Sequence, residues 1–445
     1  MLDARTILRI AWATMGLAIL IGPVVVPAQT APATTDRPAL MSIDASQARA
    51  DEIIVCFKPG LTAAARRQIV EQEGCAAAGW CDPGQLQLVR IPAEETPAEI
   101  IASFESHEAV EYAEPNPLVR ASFLPDDSYF AFQWNLNDLA AGGIQMEAAW
   151  DIQQGDPNVI IAILDTGVAY EDFGAFRQAP DLAGTAFVPG YDFIGNDTHP
   201  NDDQGHGTHV CGTIAQSTNN GIGVAGVAFG CSILPVKVLS ADGIGDHFAL
   251  TRGVYFAIDQ GATVINMSLG GPDDSRTLRT AVETAYRAGV TFVCAMGNEF
   301  AEGSPISYPA AYDDYCIAVG AVRYDSTRAP YSSVGSAIDV VAPGGDLSVD
   351  QNDDGYVDGI LQQTFVGDPS DFAYWFFQGT SMAAPHVAGL AALLVSRGVT
   401  DPDEIRLAIE ATAVDLGPAG WDPEYGWGLI DAAATVAYHV PGDDL

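Results

Sequence analysis

The sequence predicts an α/β fold: a doubly wound, mostly parallel sheet with helices on both faces, preceded by a small α+β unit. Residues 158–164 form a continuous apolar run, which is typical of a strand covered on both faces. Similar strands alternate with helical segments up to residue 438, and repeated β-α-β units place their strands in parallel. Further strands are predicted at residues 232–239, 263–269, 290–295, 316–322 and 338–342. Helices are predicted at residues 206–215, 246–259, 276–288, 381–396, 402–413 and 429–438.

The small unit precedes residue 122 and has a different order of elements. Its strands are predicted at residues 52–57, 86–91 and 110–116, and its helices at residues 62–73 and 97–106. Pro, Ser and Asp punctuate residues 117–127, which we predict to form an exposed linker.

The first 28 residues have the composition of an export signal. Arg5 and Arg9 flank the start of a mostly apolar stretch at residues 10–26, and small residues offer a cleavage site at its end. The alternative is a membrane anchor, since this stretch is 17 residues long, but glycines and a proline interrupt it. Residues 29–46 are rich in Ala, Pro and Thr and are predicted to be a flexible linker. We therefore expect a secreted protein with no membrane association after signal removal.

Composition limits the partners of the chain. Its 58 acidic and 19 basic residues give a net charge of −39. Nucleic acids and anionic membranes bind basic faces, so neither is expected as a partner. The acidic surface suits solubility, high salt and hard-cation binding, and it does not choose among them. Seven cysteines leave the redox state open: export permits disulfides, but Cys211 and Cys294 lie in apolar segments where buried thiols are equally expected.

Three polar side chains stand where acyl-transfer chemistry would need them. Asp165 directly follows the strand at residues 158–164, at the end where sites form in doubly wound sheets. His206, between two glycines, and Ser381, after a glycine turn, each open a predicted helix. A serine hydroxyl needs an imidazole to take its proton, and the imidazole needs a carboxylate to orient it. Taken alone, Ser381 is equally well explained as a helix cap.

The motifs around these residues resemble those of the subtilisin-like serine proteases, the subtilase family (peptidase S8). The family's three catalytic blocks are matched, in the family's order, by residues 165–167 (Asp-Thr-Gly), 205–209 (Gly-His-Gly-Thr-His) and 379–386 (Gly-Thr-Ser-Met-Ala-Ala-Pro-His). Residues 267–271 and 297–299 are similar to its substrate-binding strand and oxyanion block. The resemblance covers roughly residues 127–440.

This resemblance implies an activity and a role for each residue of the site. It implies a monomeric serine endopeptidase that hydrolyses protein and peptide substrates through an acyl-enzyme. Asp165, His206 and Ser381 would form the catalytic triad, and the side-chain amide of Asn298 would stabilise the oxyanion. Extended substrate would pair with the strand residues Ser268, Leu269, Gly270 and Gly271, with Ser307 near the floor of the P1 pocket.

The small unit resembles the inhibitory propeptide that precedes these enzymes. The chain is therefore expected to divide into a signal peptide (1–28), a linker (29–46), an inhibitor-like propeptide (47–121) and a protease domain (122–445). The resemblance implies that the propeptide is an intramolecular inhibitor of its own protease domain. We expect autoprocessing within residues 120–125.

Three acidic regions are candidate sites for structural calcium. Residues 350–358 follow the calcium-loop pattern, with glycine at position 6 and with oxygen ligands from Asp350, Asn352, Asp354, the Tyr356 carbonyl and Asp358. Position 12 is Leu361 rather than the glutamate of an EF-hand, so a single inserted loop is predicted; the alternative is an acidic solvated loop. By the resemblance alone, the family's tight calcium site is matched by Asp127, Asp181 and Asn220, with carbonyls around residues 218, 222 and 224. A further candidate set, also by resemblance, is Asp192, Asp197 and Asp202.

Three other functions are compatible with parts of the sequence. Residues 165–167 are also the motif of aspartic proteases, but that class needs a second such triplet and the sequence has no other. An esterase would share the nucleophile without needing the strand at residues 268–271 or a propeptide. A catalytically silent, calcium-stabilised peptide-binding protein would keep the fold, although the intact triad and Asn298 argue against it.

Overall fold

A computed structural model describes residues 48–438 of the chain, apart from residues 82, 84, 94, 118–121 and 138. The predicted signal peptide and the linker at residues 29–46 therefore lie outside the described residues. No helix in the described part of the chain is long and apolar enough to cross a membrane. The chain forms two compact units, whose described parts are residues 48–117 and 122–438.

The first unit is a four-stranded antiparallel sheet with two helices, in the strand order β2-β3-β1-β4. Its elements are β1 (Ala48–Phe57), α1 (Ala63–Gln72), β2 (Ala76–Cys81), β3 (Leu86–Arg90), α2 (Pro97–Glu105) and β4 (Val110–Pro117). Apolar side chains of the sheet and of both helices form a separate core. The predicted α+β unit is thus confirmed. Strand β2 was not predicted, because its alanines and glycine are mostly exposed and show no apolar alternation.

The second unit is built on an eight-stranded sheet in which every strand pair is parallel. Its strands are β5 (Ile160–Asp165), β6 (Ala186–Phe187), β7 (Tyr191–Asp192), β8 (Ser232–Lys237), β9 (Val264–Met267), β10 (Thr291–Ala295), β11 (Cys316–Val322) and β12 (Val340–Pro343). The strand order is β12-β11-β10-β9-β5-β8-β6, and β7 also pairs with β8. The apolar run that predicted the first of these strands is the central strand β5.

Helices cover this sheet, as the alternating sequence pattern predicts. They are α3 (Met146–Trp150), α4 (His206–Ala215), α5 (His247–Asp259), α6 (Arg276–Arg287), α7 (Thr380–Ser396), α8 (Pro402–Thr412) and α9 (Ala432–Ala437). Helix α4 packs against α7, α5 packs against α6, and both pairs contact the sheet. Helix α5 begins where the Asp246 carboxylate accepts the N–H groups of Phe248 and Ala249. The predicted doubly wound fold is confirmed.

The last helix begins later than predicted. Residues 429–431 were included in it, but Leu429 exchanges backbone hydrogen bonds with Val414, and the N–H of Ile430 donates to the carbonyl of Val341. The buried Leu429 and Ile430 therefore extend the sheet edge, and helix α9 begins only at Ala432. Apolar residues alone did not distinguish a buried extended segment from a helical turn.

An antiparallel hairpin between β12 and α7 was not predicted. It consists of β13 (Ile360–Phe365) and β14 (Phe372–Phe377), and it leads directly to the turn before Ser381. Strand β13 is buried along its whole length although its centre is Gln362-Gln363-Thr364. Distant partners satisfy two of these side chains: Gln363 accepts the N–H of Asp181, and Thr364 donates to the carbonyl of Gly205.

Candidate active site

The end of β5 and the start of α4 bring Asp165 and His206 together. His206 Nδ1 lies 2.8 Å from Asp165 Oδ1, which also accepts the N–H of Thr166 at 2.7 Å. The Asp165 side chain is fully buried, whereas that of His206 is 24% exposed and lines a cleft. Burial lowers the pKa of His206, but the carboxylate of Asp165, joined by that of Asp202, outweighs this effect and raises the pKa above 6.5.

Two glycines allow His206 to approach the buried carboxylate. Gly205 has a φ of +102°, and a Cβ atom there would also collide with the carbonyl oxygen of Phe365. A Cβ atom at Gly207 would collide with the carbonyl oxygen of Gly167 and lie 3.1 Å from the Cβ of Asp165. The glycines on both sides of His206 are thus required by the close packing of three segments of the chain.

Ser381 is the second residue of α7, in the first turn, where backbone N–H groups have no acceptor within the helix. Its hydroxyl donates to the carbonyl oxygen of Ser268 at 3.1 Å, and the Ser268 hydroxyl donates to the carbonyl oxygen of Ser381 at 2.8 Å. The interpretation of Ser381 as a helix cap is wrong, because Gly379 occupies the cap position. Within residues 122–438, the Ser381 hydroxyl makes no hydrogen bond to His206.

Asn298 follows β10 and faces the same cleft as Ser381. Its Oδ1 atom accepts both the N–H of Thr380, at 2.9 Å, and the Thr380 hydroxyl, at 3.0 Å. These two bonds fix the orientation of the amide and leave its NH₂ group as a donor. An amide held in this way, next to the first turn of α7, can stabilise negative charge on a bound oxygen.

One cleft of about 330 Å³ collects most of the residues predicted for the site. The residues that line it include His206, Ser268, Leu269, Gly270, Asn298, Ser307 and Ser381. Asp165 lies buried behind His206. Gly271 pairs instead with Tyr308, its N–H donating to the Tyr308 carbonyl at 3.0 Å and its carbonyl accepting at 2.8 Å. A side chain at Gly270 would collide with the Ser307 hydroxyl, so the segment at residues 268–271 is in close contact with Ser307.

Further residues line the cleft and were not predicted, among them Gln204, Leu239, Gly243 and Ala295. Leu239 follows the carboxyl end of β8, next to the strand that ends at Asp165. The strand-end rule that identified Asp165 could therefore have identified Leu239 as well.

The predicted calcium loop at residues 350–358 is tightly folded around its aspartates. The Asp350 carboxylate accepts the N–H of Gly355, and that of Asp354 accepts the N–H of Tyr356. Asp358 is almost fully buried, and its Oδ1 atom has no hydrogen-bond partner among the described residues. Burial, followed by the charges of Asp350, Asp354 and Asp346, raises the pKa of Asp358 to about 6. Such a buried, unpartnered carboxylate among other oxygen ligands fits a hard cation.

The second predicted calcium site has the same character. Asp181 is fully buried, and burial raises its pKa to about 6 although Asn220 Nδ2 donates to its Oδ1 at 2.8 Å. Asp127 is also buried, its charge acts on Asp181, and its Oδ1 atom has no hydrogen-bond partner in the described part of the chain. Asp127, Asp181 and Asn220 therefore lie close together, with carboxylate oxygens available to a cation.

Asp202 does not belong to a third calcium site, although it was a candidate. Its Oδ1 atom accepts the Thr166 hydroxyl and two backbone N–H groups, and its Oδ2 atom accepts the N–H and the hydroxyl of Thr208. These five donors saturate the carboxylate, so no oxygen is left for a cation. Across the described residues, no group of three or more His, Cys, Asp and Glu side chains is arranged to hold a metal ion, so the three predicted aspartate ligands of the loop at residues 350–358 would have to draw together around an ion.

Comparison with known proteins agrees with the fold. The profile of the subtilase family matches residues 156–428, and that of the fervidolysin N-terminal prodomain matches residues 36–116. The thermophilic serine proteinase of Bacillus sp. (strain AK1) is 36% identical over 391 residues, which are 87% of this chain and 87% of that protein. Thermitase of Thermoactinomyces vulgaris is 38% identical over 316 residues, 71% of this chain and all of that protein.

Two solved structures resemble this chain over different shares of its length. A protease of Pseudoalteromonas arctica PAMC 21717 superposes with a TM-score of 0.61 at 36% identity, over 70% of this chain and 98% of that one. Fervidolysin of Fervidobacterium pennivorans, described as a keratinolytic enzyme related to subtilisin, superposes with a TM-score of 0.57 at 26% identity, over 90% of this chain and 63% of that one.

A doubly wound sheet with a serine, a histidine and a buried aspartate around one cleft defines a serine hydrolase. The chain belongs to the subtilase family and is a serine endopeptidase with an N-terminal prodomain.

Proposed function

We propose that the chain is secreted as a self-processed precursor whose protease domain cleaves peptide bonds through Asp165, His206 and Ser381. The observation that carries this proposal is the 2.8 Å bond between His206 and the buried Asp165, at one side of the cleft that Ser381 and Asn298 also line. The other three side chains each supply a property that the serine lacks alone: His206 a base, Asp165 an orienting carboxylate and Asn298 an oxyanion donor.

In the proposed reaction, Ser381 Oγ attacks the scissile carbonyl while His206 takes the hydroxyl proton. Asp165 holds the imidazole in one tautomer and stabilises the imidazolium that forms. The NH₂ group of Asn298 and the N–H of Ser381 donate to the oxyanion of the tetrahedral intermediate. His206 then protonates the leaving amine. In the second half of the reaction, water attacks the acyl carbon while His206 takes its proton, and His206 returns that proton to Ser381 Oγ as the acyl-enzyme bond breaks.

Substrate would bind as an added extended strand along Ser268, Leu269 and Gly270. Gly271 is already paired with Tyr308 on one side, so the opposite side of this segment is the one that faces the cleft. Ser307 itself carries a hydroxyl and no charge, which favours an apolar or aromatic P1 side chain, and the Glu299 carboxylate lines the same cleft.

We further propose that calcium stabilises the protease domain at two places. Asp350, Asn352, Asp354, Asp358 and the Tyr356 carbonyl would hold one ion. Asp127, Asp181 and Asn220, with neighbouring carbonyls, would hold the other. The buried carboxylate oxygens of Asp127 and Asp358 that lack a hydrogen-bond partner support this, since an unpaired buried charge is costly until a cation balances it.

Processing tests the precursor proposal. In a protease-free host, the wild-type chain should be cleaved within residues 120–125, and Ser381→Ala should accumulate as the uncleaved precursor. Mass spectrometry of the secreted chains measures both outcomes and the signal cleavage site. Complete processing of Ser381→Ala would contradict self-processing, and an uncleaved wild type that binds peptides without hydrolysing them would favour the silent binding protein.

A further inference from the structure

A second buried carboxylate, Asp202, lies behind the active site and holds several segments of it together. Asp202 is 1% exposed and lies in the loop that immediately precedes His206 and helix α4. Its Oδ1 atom accepts the Thr166 hydroxyl at 2.9 Å and the N–H groups of Gln204 and Gly205, each at 2.9 Å. Its Oδ2 atom accepts the N–H of Thr208 at 2.9 Å and the Thr208 hydroxyl at 2.6 Å.

These five bonds join the residue after Asp165 to the residues on both sides of His206. Thr166 extends this hydrogen-bond network, because its hydroxyl oxygen also accepts the N–H of Gly207 at 2.9 Å. Thr208 does the same, because its hydroxyl oxygen accepts the N–H of Ala169 at 3.0 Å. The loop after β5 and the first turn of α4 are therefore tied to one carboxylate. Neither segment can shift without breaking hydrogen bonds to a buried charge.

Asp202 also acts on His206 through its charge. The charged and titratable groups that face His206 are Asp165 from β5, Asp202 from its own loop and His209 from α4. A further ion pair lies nearby, where Lys237 Nζ donates to Asp203 at 2.7 Å and to the Thr166 carbonyl at 2.6 Å. Burial lowers the pKa of His206, whereas the negative charges of Asp165 and Asp202 both raise it. A negative charge at this position stabilises the imidazolium that forms during acyl transfer.

We propose that Asp202 is a positioning residue of the active site, which sets the geometry of the Asp165–His206 pair through Thr166 and Thr208 and favours the protonated state of His206. This inference rests on the proposed roles of His206 and Ser381. Asp202 touches neither substrate nor the reacting atoms, so its contribution is to kcat and to the pH profile rather than to substrate binding. Asp165 differs from it, because Asp165 bonds directly to the imidazole.

Two variants separate the two contributions of Asp202. Asp202→Asn keeps the shape but removes the charge and one acceptor oxygen. Thr166→Val keeps the charge and removes the hydroxyl that links Asp202 to Gly207. The exposed Asp259→Asn, at the end of α5 and outside the cleft lining, is the control for loss of one negative charge from the same domain.

The measurements are kcat, KM and the pH dependence of kcat/KM for a peptide substrate, on mature enzyme with a normal melting temperature. Asp202→Asn should lower kcat by about 10- to 100-fold, with KM within about threefold, because the triad geometry is relaxed. The acidic limb of its kcat/KM profile should also move to lower pH, because His206 loses a nearby negative charge that favours the imidazolium. Thr166→Val should lower kcat without moving the acidic limb, and Asp259→Asn should change neither.

Folded Asp202→Asn with wild-type kcat and an unmoved acidic limb would overturn the inference and leave the proposed function intact. If Asp202→Asn does not fold, an unchanged kcat in Thr166→Val and in Thr208→Val would overturn it equally. Full activity of Ser381→Ala is a different result: it would contradict the proposed function itself, and this inference would fall with it.

Discussion

The hydroxyl of Ser381 donates its hydrogen bond to the carbonyl oxygen of Ser268, 3.1 Å away. The two residues are joined a second time, because the Ser268 hydroxyl donates to the Ser381 carbonyl at 2.8 Å. The start of α7 is thus pinned to the segment that follows β9, where an extended substrate would lie. The hydroxyl must turn about its Cα–Cβ bond to reach His206, and catalytic hydrogen bonds often tighten only once substrate is bound.

This pairing predicts different results for the two serines. Ser381→Ala should lower kcat by about 10⁶-fold, the size of the effect known for the subtilisin nucleophile. Ser268→Ala removes two hydrogen bonds, one to the Ser381 carbonyl and one from Asn266 Nδ2, each worth about 1 kcal/mol, and should cost about 30-fold or less. Steady-state kinetics on mature enzyme measures both. Equal losses in the two variants would contradict the assignment of Ser381 as the nucleophile.

Asn298 should contribute to kcat and not to KM. Asn298→Ala removes the amide donor and should lower kcat by about 10²- to 10³-fold, as removal of one oxyanion donor does in subtilisin. Asn298→Asp keeps the acceptor that Thr380 uses but loses the NH₂ group, so it should be at least as impaired. A loss confined to KM in both variants would mean that Asn298 binds substrate rather than the oxyanion.

The pH dependence of activity should follow His206. The neutral imidazole is the active base, and its pKa is raised above 6.5, so kcat/KM should fall as pH drops through a midpoint above that value. Asp165→Asn removes the first cause of the raised pKa and should move the midpoint to lower pH in whatever activity is left. A rate that is constant from pH 5 to pH 8 would contradict His206 as the base.

Calcium removal should destabilise the protease domain. A chelator should lower its melting temperature, because a ligand at about 100 times its Kd contributes about 2.7 kcal/mol to the free energy of unfolding. Asp181→Ala and Asp358→Ala should each reduce the difference between calcium and chelator, whereas the exposed Asp242→Asn should not. Calorimetry with and without calcium measures this. An identical melting temperature in both conditions would rule out the metal assignment.

The sequence was most informative where chemistry restricts the residue type. Asp165, His206 and Ser381 could be predicted because each stands at a strand end or a helix start and fills a role that few side chains can. Disulfides were left open, and no disulfide joins the cysteines in the described part of the chain. The parallel sheet with helices on both faces followed from the alternation of buried strands and helices, whereas the order of its strands was not predicted.

Long-range partners explain what the sequence did not reveal. The hairpin of β13 and β14 was missed because Gln363 and Thr364 are satisfied by Asp181 and Gly205, which lie far away in the chain. Asp202 was a candidate calcium ligand by resemblance alone, and the hydrogen-bond donors that occupy its carboxylate were not evident from the sequence. The direction of the Ser381 hydroxyl is a rotamer choice, which residue type and spacing do not determine.

Covalent labelling of the nucleophile tests the central claim most directly. A fluorophosphonate should add one phosphonyl group to the mature enzyme, and peptide mapping by mass spectrometry should locate it on Ser381. His206→Ala should react far more slowly, because the hydroxyl then lacks its base. A single adduct on Ser381 that abolishes peptide hydrolysis is the predicted result; an adduct on another residue, or hydrolysis that continues with Ser381 fully labelled, would contradict the account.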